Sequence, residues 1–153
     1  MHTTASDGRS APDVLVAEAA AHGLRVMAVT DHDTTAAADV CLAAARDAGV
    51  TCHVGIEITA VDHGRDIHIL GYGFDRHTPE LVTFLETQRR DRLRRMRAIG
   101  ERLEHLGVPI DLDRALGDAG RLAGRSIGRP MAAAALVAAG HVRDLREAFD
   151  RYL

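Results

Sequence analysis

The sequence predicts an α/β fold that passes into a helical segment, and three observations carry that expectation. Two short apolar runs, at 25–29 and 51–59, are joined by an Ala-rich stretch of helical composition, which is the pattern of a parallel βαβ crossover. A third run, at 66–72, follows the second across a tight polar turn. Beyond Pro79 the chain reads as helix almost throughout, with Met96, Ile99, Leu103 and Leu106 spaced by threes and fours.

The elements follow in order. Ser10 reads as an N-cap, with Pro12 and Asp13 in the first turn of a helix that runs to about His22 and stops at Gly23. Arg25-Val-Met-Ala-Val29 lies between that glycine and the polar stretch TDHD, and reads as a buried strand. Thr34 or Thr35 caps the next helix, which ends at Gly49. The second strand contains HVGIEIT, a turn falls around residues 62–65, and the third strand carries DIHILGY. A long helix spans 79–106 and is broken by Gly107-Val-Pro109. Two further helices are expected near 130–139 and 143–152. The expected organisation is a single domain, with βα units in 1–78 and a helical segment in 79–153.

Composition narrows the class. At 153 residues the chain can bury a core of its own. Apolar residues make up 46% and charged residues 27%, as in soluble globular proteins. Aromatics are only 3%, without Trp, so Ala, Val, Leu and Ile must fill the interior. A net charge of -3 gives no global pull toward nucleic acid or an anionic membrane. No apolar run approaches the roughly 20 residues of a membrane span, and the polar N-terminus lacks a signal-peptide core. Cys41 and Cys52 stand in dissimilar contexts without metal-site spacing. Together these predict a reduced, cytoplasmic chain.

Metal-capable side chains concentrate in four short segments: His2 with Asp7, Asp31-His32-Asp33, Glu57 in GIEI, and His68 in HILGYG. Ligand sites of parallel α/β sheets lie at the carboxyl ends of the strands. His32 falls just past the first strand and Glu57 late in the second. Glu57 and His68 each alternate with isoleucines, so their side chains leave the opposite face. A carboxylate and an imidazole aimed inward among apolar neighbours are costly unless paired or coordinated. His, Asp and Glu converging in this way suit Zn, Mn or Fe. Each residue taken singly has an ordinary reading: a satisfied core histidine, an ion-paired glutamate, an Asx-type turn. Their joint occurrence in this order favours the metal.

The ordered stretches HTTASDG, GLRVMAVTDHDT, GIEIT and DIHILGYGFD resemble the PHP domain, the polymerase and histidinol phosphatase superfamily, and within it the stand-alone phosphoesterase branch. The resemblance extends through QRRDRLRRM, the GRP segment at Gly128 to Pro130, and the AFDRYL ending. It implies a partial, distorted (β/α)7 barrel with up to three divalent ions, and hydrolysis of phosphate esters of nucleotides or short oligonucleotides by a metal-bound hydroxide. His2 would be the second histidine of a His-x-His pair, and Asp7 the acid of the SDG turn. His32 would be the histidine of TDHD, Glu57 the bridging carboxylate, and His68 the histidine before LGYG. These five are the implied metal ligands. Glu57, Asp7 and Arg129 would take part in catalysis, Arg129 by forking onto a phosphate oxygen. A pair of cations bridged by a carboxylate lowers the pKa of a shared water from ~16 toward neutrality. Asp31 and Asp33 would orient His32.

Three departures from the pattern bear on function. The first histidine of the His-x-His pair is absent. The family's GRPH is GRPM here, so Met131 stands where a ligand histidine is expected, and a thioether is a poor ligand for hard cations. The later strands, with an Ala-His-Pro turn and an Asp-x-His pair, do not occur in the 153 residues. The expectation is a truncated copy, impaired in catalysis and holding fewer ions. The alternative is an inactive remnant that binds phosphate or nucleic acid. The arginines at 89, 90, 92, 94, 95 and 97 form either a nucleic-acid face or a solvated helix surface, and the nearby Glu86, Asp91 and Glu101 favour the latter. The expected partner is a small phosphorylated substrate, a nucleotide or short RNA, with no membrane.

Overall fold

The two apolar runs joined by the Ala-rich stretch form a parallel strand pair, as their spacing requires. A computed structural model describes residues 1–63, 65–117 and 124–153. The chain divides into two compact units, Met1–Arg89 with Gly124–Ser126, and Arg90–Ala123 with Ile127–Leu153.

In the first unit, helix α1 (Pro12–Ala21) precedes strand β1 (Val26–Val29), and helix α2 (Ala38–Asp47) leads to strand β2 (Thr51–Asp62). Strand β3 (Arg65–Tyr72) completes a three-stranded sheet in the order β1-β2-β3. β1 and β2 run parallel, with Val26 opposite Thr51 and Val29 opposite Val54. β2 and β3 run antiparallel, with Gly55 opposite Tyr72 and Asp62 opposite Arg65. The turn between them includes His63 at φ 47°, while Gly64 lies outside the described residues. A closed barrel is not seen among the described residues; this mixed sheet of three strands stands in its place.

Both early helices end as expected. Gly23 (φ 77°) and Gly49 (φ 67°) each take the left-handed conformation that closes a helix at low steric cost. Their amides donate to Ala20 and Arg46, and the next residues donate to Ala19 and Ala45. The starts differ from expectation. Ala11, not Ser10, is the N-cap of α1, and the Ser10 hydroxyl instead donates to Glu18 at 3.0 Å. Pro12 at the first helical position lacks the N–H that a cap would serve, which removes part of the need for one. Ala37, not Thr34 or Thr35, is the N-cap of α2. The Thr34 hydroxyl accepts from the Ala36 amide at 3.1 Å and donates to the Gly124 carbonyl, so it braces a turn that precedes the helix.

The core of this unit joins Val16 and Ala19 of α1, Met27 and Val29 of β1, and Cys41 and Ala45 of α2, with Ala37 and Val50. Only one face of β1 is buried. Val26 is 60% exposed, because the helices cover the face of Met27 and Val29 and leave the other open. On that open side a groove of about 680 Å³ is lined by residues including Ala28, Val54, Tyr72 and Phe74. β3 is exposed along most of its length, Ile69 at 53% and Tyr72 at 55%. Its alternation was legible, but it does not mark a buried face.

In the second unit, helix α3 (Pro79–His105) from Arg90 onward is joined by α4 (Leu112–Leu116), α5 (Arg129–Ala138) and α6 (Leu145–Arg151). Residues 118–123 lie outside the described residues. Leu103, Ala133, Leu136, Val142 and Ala148 form one buried cluster, and Met96, Leu116, Ile127 and Ala132 another. The small side chains of α5 allow close approach, and Ala132 and Ala133 are fully buried. α4 was not expected. It is a single turn, capped by the Asp111 carboxylate, which accepts the Arg114 amide at 2.9 Å.

Candidate metal centre

The site forms where β1 ends and β2 continues past it. Beyond Val29 the chain stays extended long enough for His32 to form one parallel bridge with Glu57. The Glu57 amide donates to the Asp31 carbonyl at 3.1 Å, and the Asp33 amide to the Glu57 carbonyl at 3.0 Å. This pairing sets the His32 and Glu57 side chains beside each other: His32 Nδ1 is 3.6 Å from Glu57 Oε1. In β3, His68 lies opposite Thr59, two residues past Glu57, and its Nδ1 is 2.5 Å from Glu57 Oε1.

The N-terminal loop brings the other two residues. Met1 lies along β1, its carbonyl accepting the Thr30 amide at 2.8 Å, which turns His2 toward the cluster. His2 Nε2 is 3.1 Å from Glu57 Oε2, and its Nδ1 is 3.4 Å from Asp7 Oδ1. Asp7 Oδ2 is also 3.6 Å from His32 Nε2. The His2 and His32 ring centroids are 4.8 Å apart, and those of His32 and His68 are 4.9 Å apart. Glu57 is mostly buried and touches all three histidines. The structure therefore gathers His2, Asp7, His32, Glu57 and His68, which lie up to 66 positions apart in sequence, in one place.

These donors fit a divalent cation. His2, His32 and Glu57 each bring one ligand atom within 4.8 Å of the others. Two ligands of one Zn-like ion, each at about 2.1 Å, stand roughly 3.0–3.5 Å apart, which is the spacing of the closer pairs. The buried His2 Nδ1 has no hydrogen-bond partner among the described residues, although Asp7 faces it. A buried imidazole nitrogen without a hydrogen bond is costly in an apo site, whereas a ligated one is satisfied.

The carboxylates flanking His32 each bind another stretch of the chain. Asp31, fully buried, turns away from His32 toward the N-terminal loop. It accepts the Thr3 amide at 2.7 Å, the Thr3 hydroxyl at 2.7 Å and the Ser6 hydroxyl at 2.6 Å. Asp33 accepts the Thr59 amide at 2.9 Å. Arg89 donates to the Asp33 carbonyl at 3.3 Å, and burial lowers its guanidinium from the usual value.

Two expected features fall in the other unit. Arg129 opens α5, where a guanidinium N–H donates to the Leu153 carbonyl at 3.4 Å. Met131 packs against the apolar cluster of Met96, Leu116, Ile127 and Ala132. The arginine-rich stretch is partly engaged by protein: Arg92 donates to the Ile127 carbonyl at 2.9 Å, and Arg94 pairs with Asp91 at 2.9 Å. Sequence reasoning missed the parts played by Thr3, Ser6 and Thr59. Their signal was their place beside His2, Asp7 and Glu57.

With this geometry in view, comparison with known proteins defines the class. The chain belongs to the PHP domain family, whose model matches residues 1–151. It is 40% identical to a 5'-3' exoribonuclease of Haemophilus influenzae over 99% of this chain and 54% of that protein. It is 34% identical to a 3',5'-nucleoside bisphosphate phosphatase of Chromobacterium violaceum, over 99% of this chain and 53% of the other. Among solved structures, a chain from Bifidobacterium adolescentis assigned as a metal-dependent phosphoesterase superposes with a TM-score of 0.89 at 38% identity, over 99% of this chain and 52% of that one. The chain thus spans about half the length of the relatives it matches. No described helix is long and apolar enough to cross a membrane.

Proposed function

We propose that this chain carries the metal-binding half of a phosphoesterase that hydrolyses phosphate esters of nucleotides or short oligonucleotides. One observation carries the reading: five potential ligands from four separate segments gather in one place, with His2, His32 and His68 on the mostly buried carboxylate of Glu57 and Asp7 facing two of the rings. His2, Asp7, His32, Glu57 and His68 would hold one or more divalent cations, Mn, Zn or Fe by donor type. Such a cation supplies Lewis-acid polarisation of a phosphoryl oxygen and activates water as a nucleophile. Glu57 sits between the histidines and fixes their donor atoms at the centre of the cluster. Asp7 faces two of the rings from the loop side and contributes the negative charge that a cation requires. The names of the relatives, an exoribonuclease and a nucleoside bisphosphate phosphatase, support phosphate esters of nucleotides as the substrate class.

The test is hydrolysis of a chromogenic phosphodiester and of a nucleoside 3',5'-bisphosphate with added Mn2+, for the wild type and for Glu57→Ala. Metal-dependent turnover lost in Glu57→Ala supports the reading. Turnover unaffected by Glu57→Ala removes the cluster from the chemistry. A second reading, an inactive module that still binds phosphate, is favoured by Met131, which packs among apolar side chains where the family pattern has a ligand histidine. Tight Mn2+ binding without turnover of either substrate would select it.

A further inference from the structure

We propose that the two carboxylates flanking His32 are clamps for its neighbours: Asp31 positions the loop that bears His2 and Asp7, and Asp33 positions the stretch of β2 that bears Glu57. The functional sense of this rests on the metal-centre reading, but the geometry belongs to the metal-free chain.

Asp31 acts through Thr3. The Thr3 hydroxyl donates to Asp31 and accepts the Ala5 amide at 3.0 Å, while the Thr3 carbonyl accepts the amides of Ser6 at 3.1 Å and Gly8 at 2.9 Å. Thr3 is thus the hub of a tight loop, with His2 on one side of it and Asp7 entering just before Gly8. With Ser6 tied to the same carboxylate, three hydrogen bonds donated by the loop to one buried carboxylate fix it to the end of β1. Hydrogen bonds to a charged acceptor are the strong kind, and at 1% exposure Asp31 has little access to water that could replace them.

Asp33 acts on the other side. Its backbone is left-handed (φ 49°), a conformation that Asp and Asn tolerate better than most residues, and it is fully buried. Its amide binds the Glu57 carbonyl and its carboxylate binds the Thr59 amide, so it brackets Glu57 in β2. Thr59 is the register partner of His68, so the same contact fixes the point at which β3 presents that histidine. A strained conformation held by contacts on every side is the mark of a position whose geometry matters. Both clamps are positioning residues; neither needs to touch an ion.

The experiment reads ring-to-ring NOEs among the histidines of the metal-free 153-residue protein. The wild type should show His2–His32 and His32–His68 contacts. Asp31→Ala should lose the first and keep the second. Asp33→Ala should lose the second while the Thr3 and Ser6 resonances stay as in the wild type. Asp31→Asn and Asp33→Asn, which keep an acceptor, should retain both contacts. Should an alanine variant not fold, Thr3→Val, which deletes one of the three bonds to Asp31, should weaken the His2–His32 contact, and Asp33→Gly, which keeps the left-handed backbone, should weaken the other. The proposal is overturned if Asp31→Ala keeps the His2–His32 contact, if either variant loses both contacts together, or if Asn behaves as Ala does. In a parallel Co2+ titration followed by its visible spectrum, both alanine variants should bind roughly 10–100-fold more weakly. A wild type that binds no Co2+ would instead sink the metal reading, and the ring contacts would still decide the proposal.

Discussion

At the residue scale, Gly8 shows how a short motif encodes a site. A Cβ built at this position would lie 2.2 Å from the His2 carbonyl oxygen and 2.6 Å from the Thr3 amide nitrogen. Both are main-chain atoms that cannot swing aside. Gly8→Ala must therefore push the His2 backbone away from Glu57, at a cost of roughly 1–3 kcal/mol of stability by the usual scale for overpacking. Urea denaturation should show that loss, together with weakened Mn2+ binding. Cys41 gives a second prediction. Burial pushes its thiol up to about 12, so at pH 8 it carries almost no thiolate, whereas Cys52 is raised as well but lies nearer the surface. Alkylation of the native protein followed by mass mapping should mark Cys52 first; equal rates would contradict the burial of Cys41. The five potential ligands could be listed from the sequence, but the role of Gly8 could not. Its clash partner is the main chain of a residue six positions earlier, and that proximity exists only once the loop has closed. The direction of Asp31 was closer to legible, since neighbours in an extended segment point to opposite faces, and Asp31 and His32 do so.

At the element scale, α6 is short and draws on its ends. The Asp144 carboxylate accepts the Glu147 amide at 2.9 Å, while Glu147 in turn accepts the Arg143 amide at 3.0 Å and is flanked by the Arg143 and Arg151 side chains. The Arg143 backbone N–H first, then the two guanidiniums, hold the Glu147 carboxyl at about 2. A depressed folded-state value means that this contribution is complete above the unfolded value of about 4.3 and vanishes as pH falls through about 2. Acidification from pH 5 to 2 should fray α6, seen in the 13C shifts of residues 145–151, and Glu147→Gln should fray it already at pH 7. The capping acids were visible in the sequence, but with Asp144 as N-cap the helix starts at Leu145, two residues later than the expected span. β1 teaches the reverse lesson. Its apolar run suggested burial on both faces, but composition does not tell how many faces the helices cover.

At the scale of the whole molecule, the α/β order, the crossover and the strand count were readable, because each rests on local periodicity and Gly stops. The division into two units was not, because it depends on which apolar faces find each other. The same holds for β3, where Ile67, Ile69, Leu70 and Tyr72 remain exposed along a strand whose outer edge has no strand partner among the described residues. Such an edge favours association. Sedimentation velocity should show concentration-dependent self-association of this chain, and Ile69→Lys should reduce it while leaving the cluster's histidine resonances in place. Sedimentation as a monomer at all concentrations would show that the edge is harmless in solution.

The cluster draws its donors from four stretches of chain spread over residues 2 to 68, so no short peptide from this sequence can hold them together. An ion that fills the site therefore binds the native state and not the denatured one. By mass action, saturating it at 100 times its dissociation constant would raise stability by about 2.7 kcal/mol. The centre is in this sense a thermometer of its own fold: the rise in melting temperature with added Mn2+ measures affinity without any substrate.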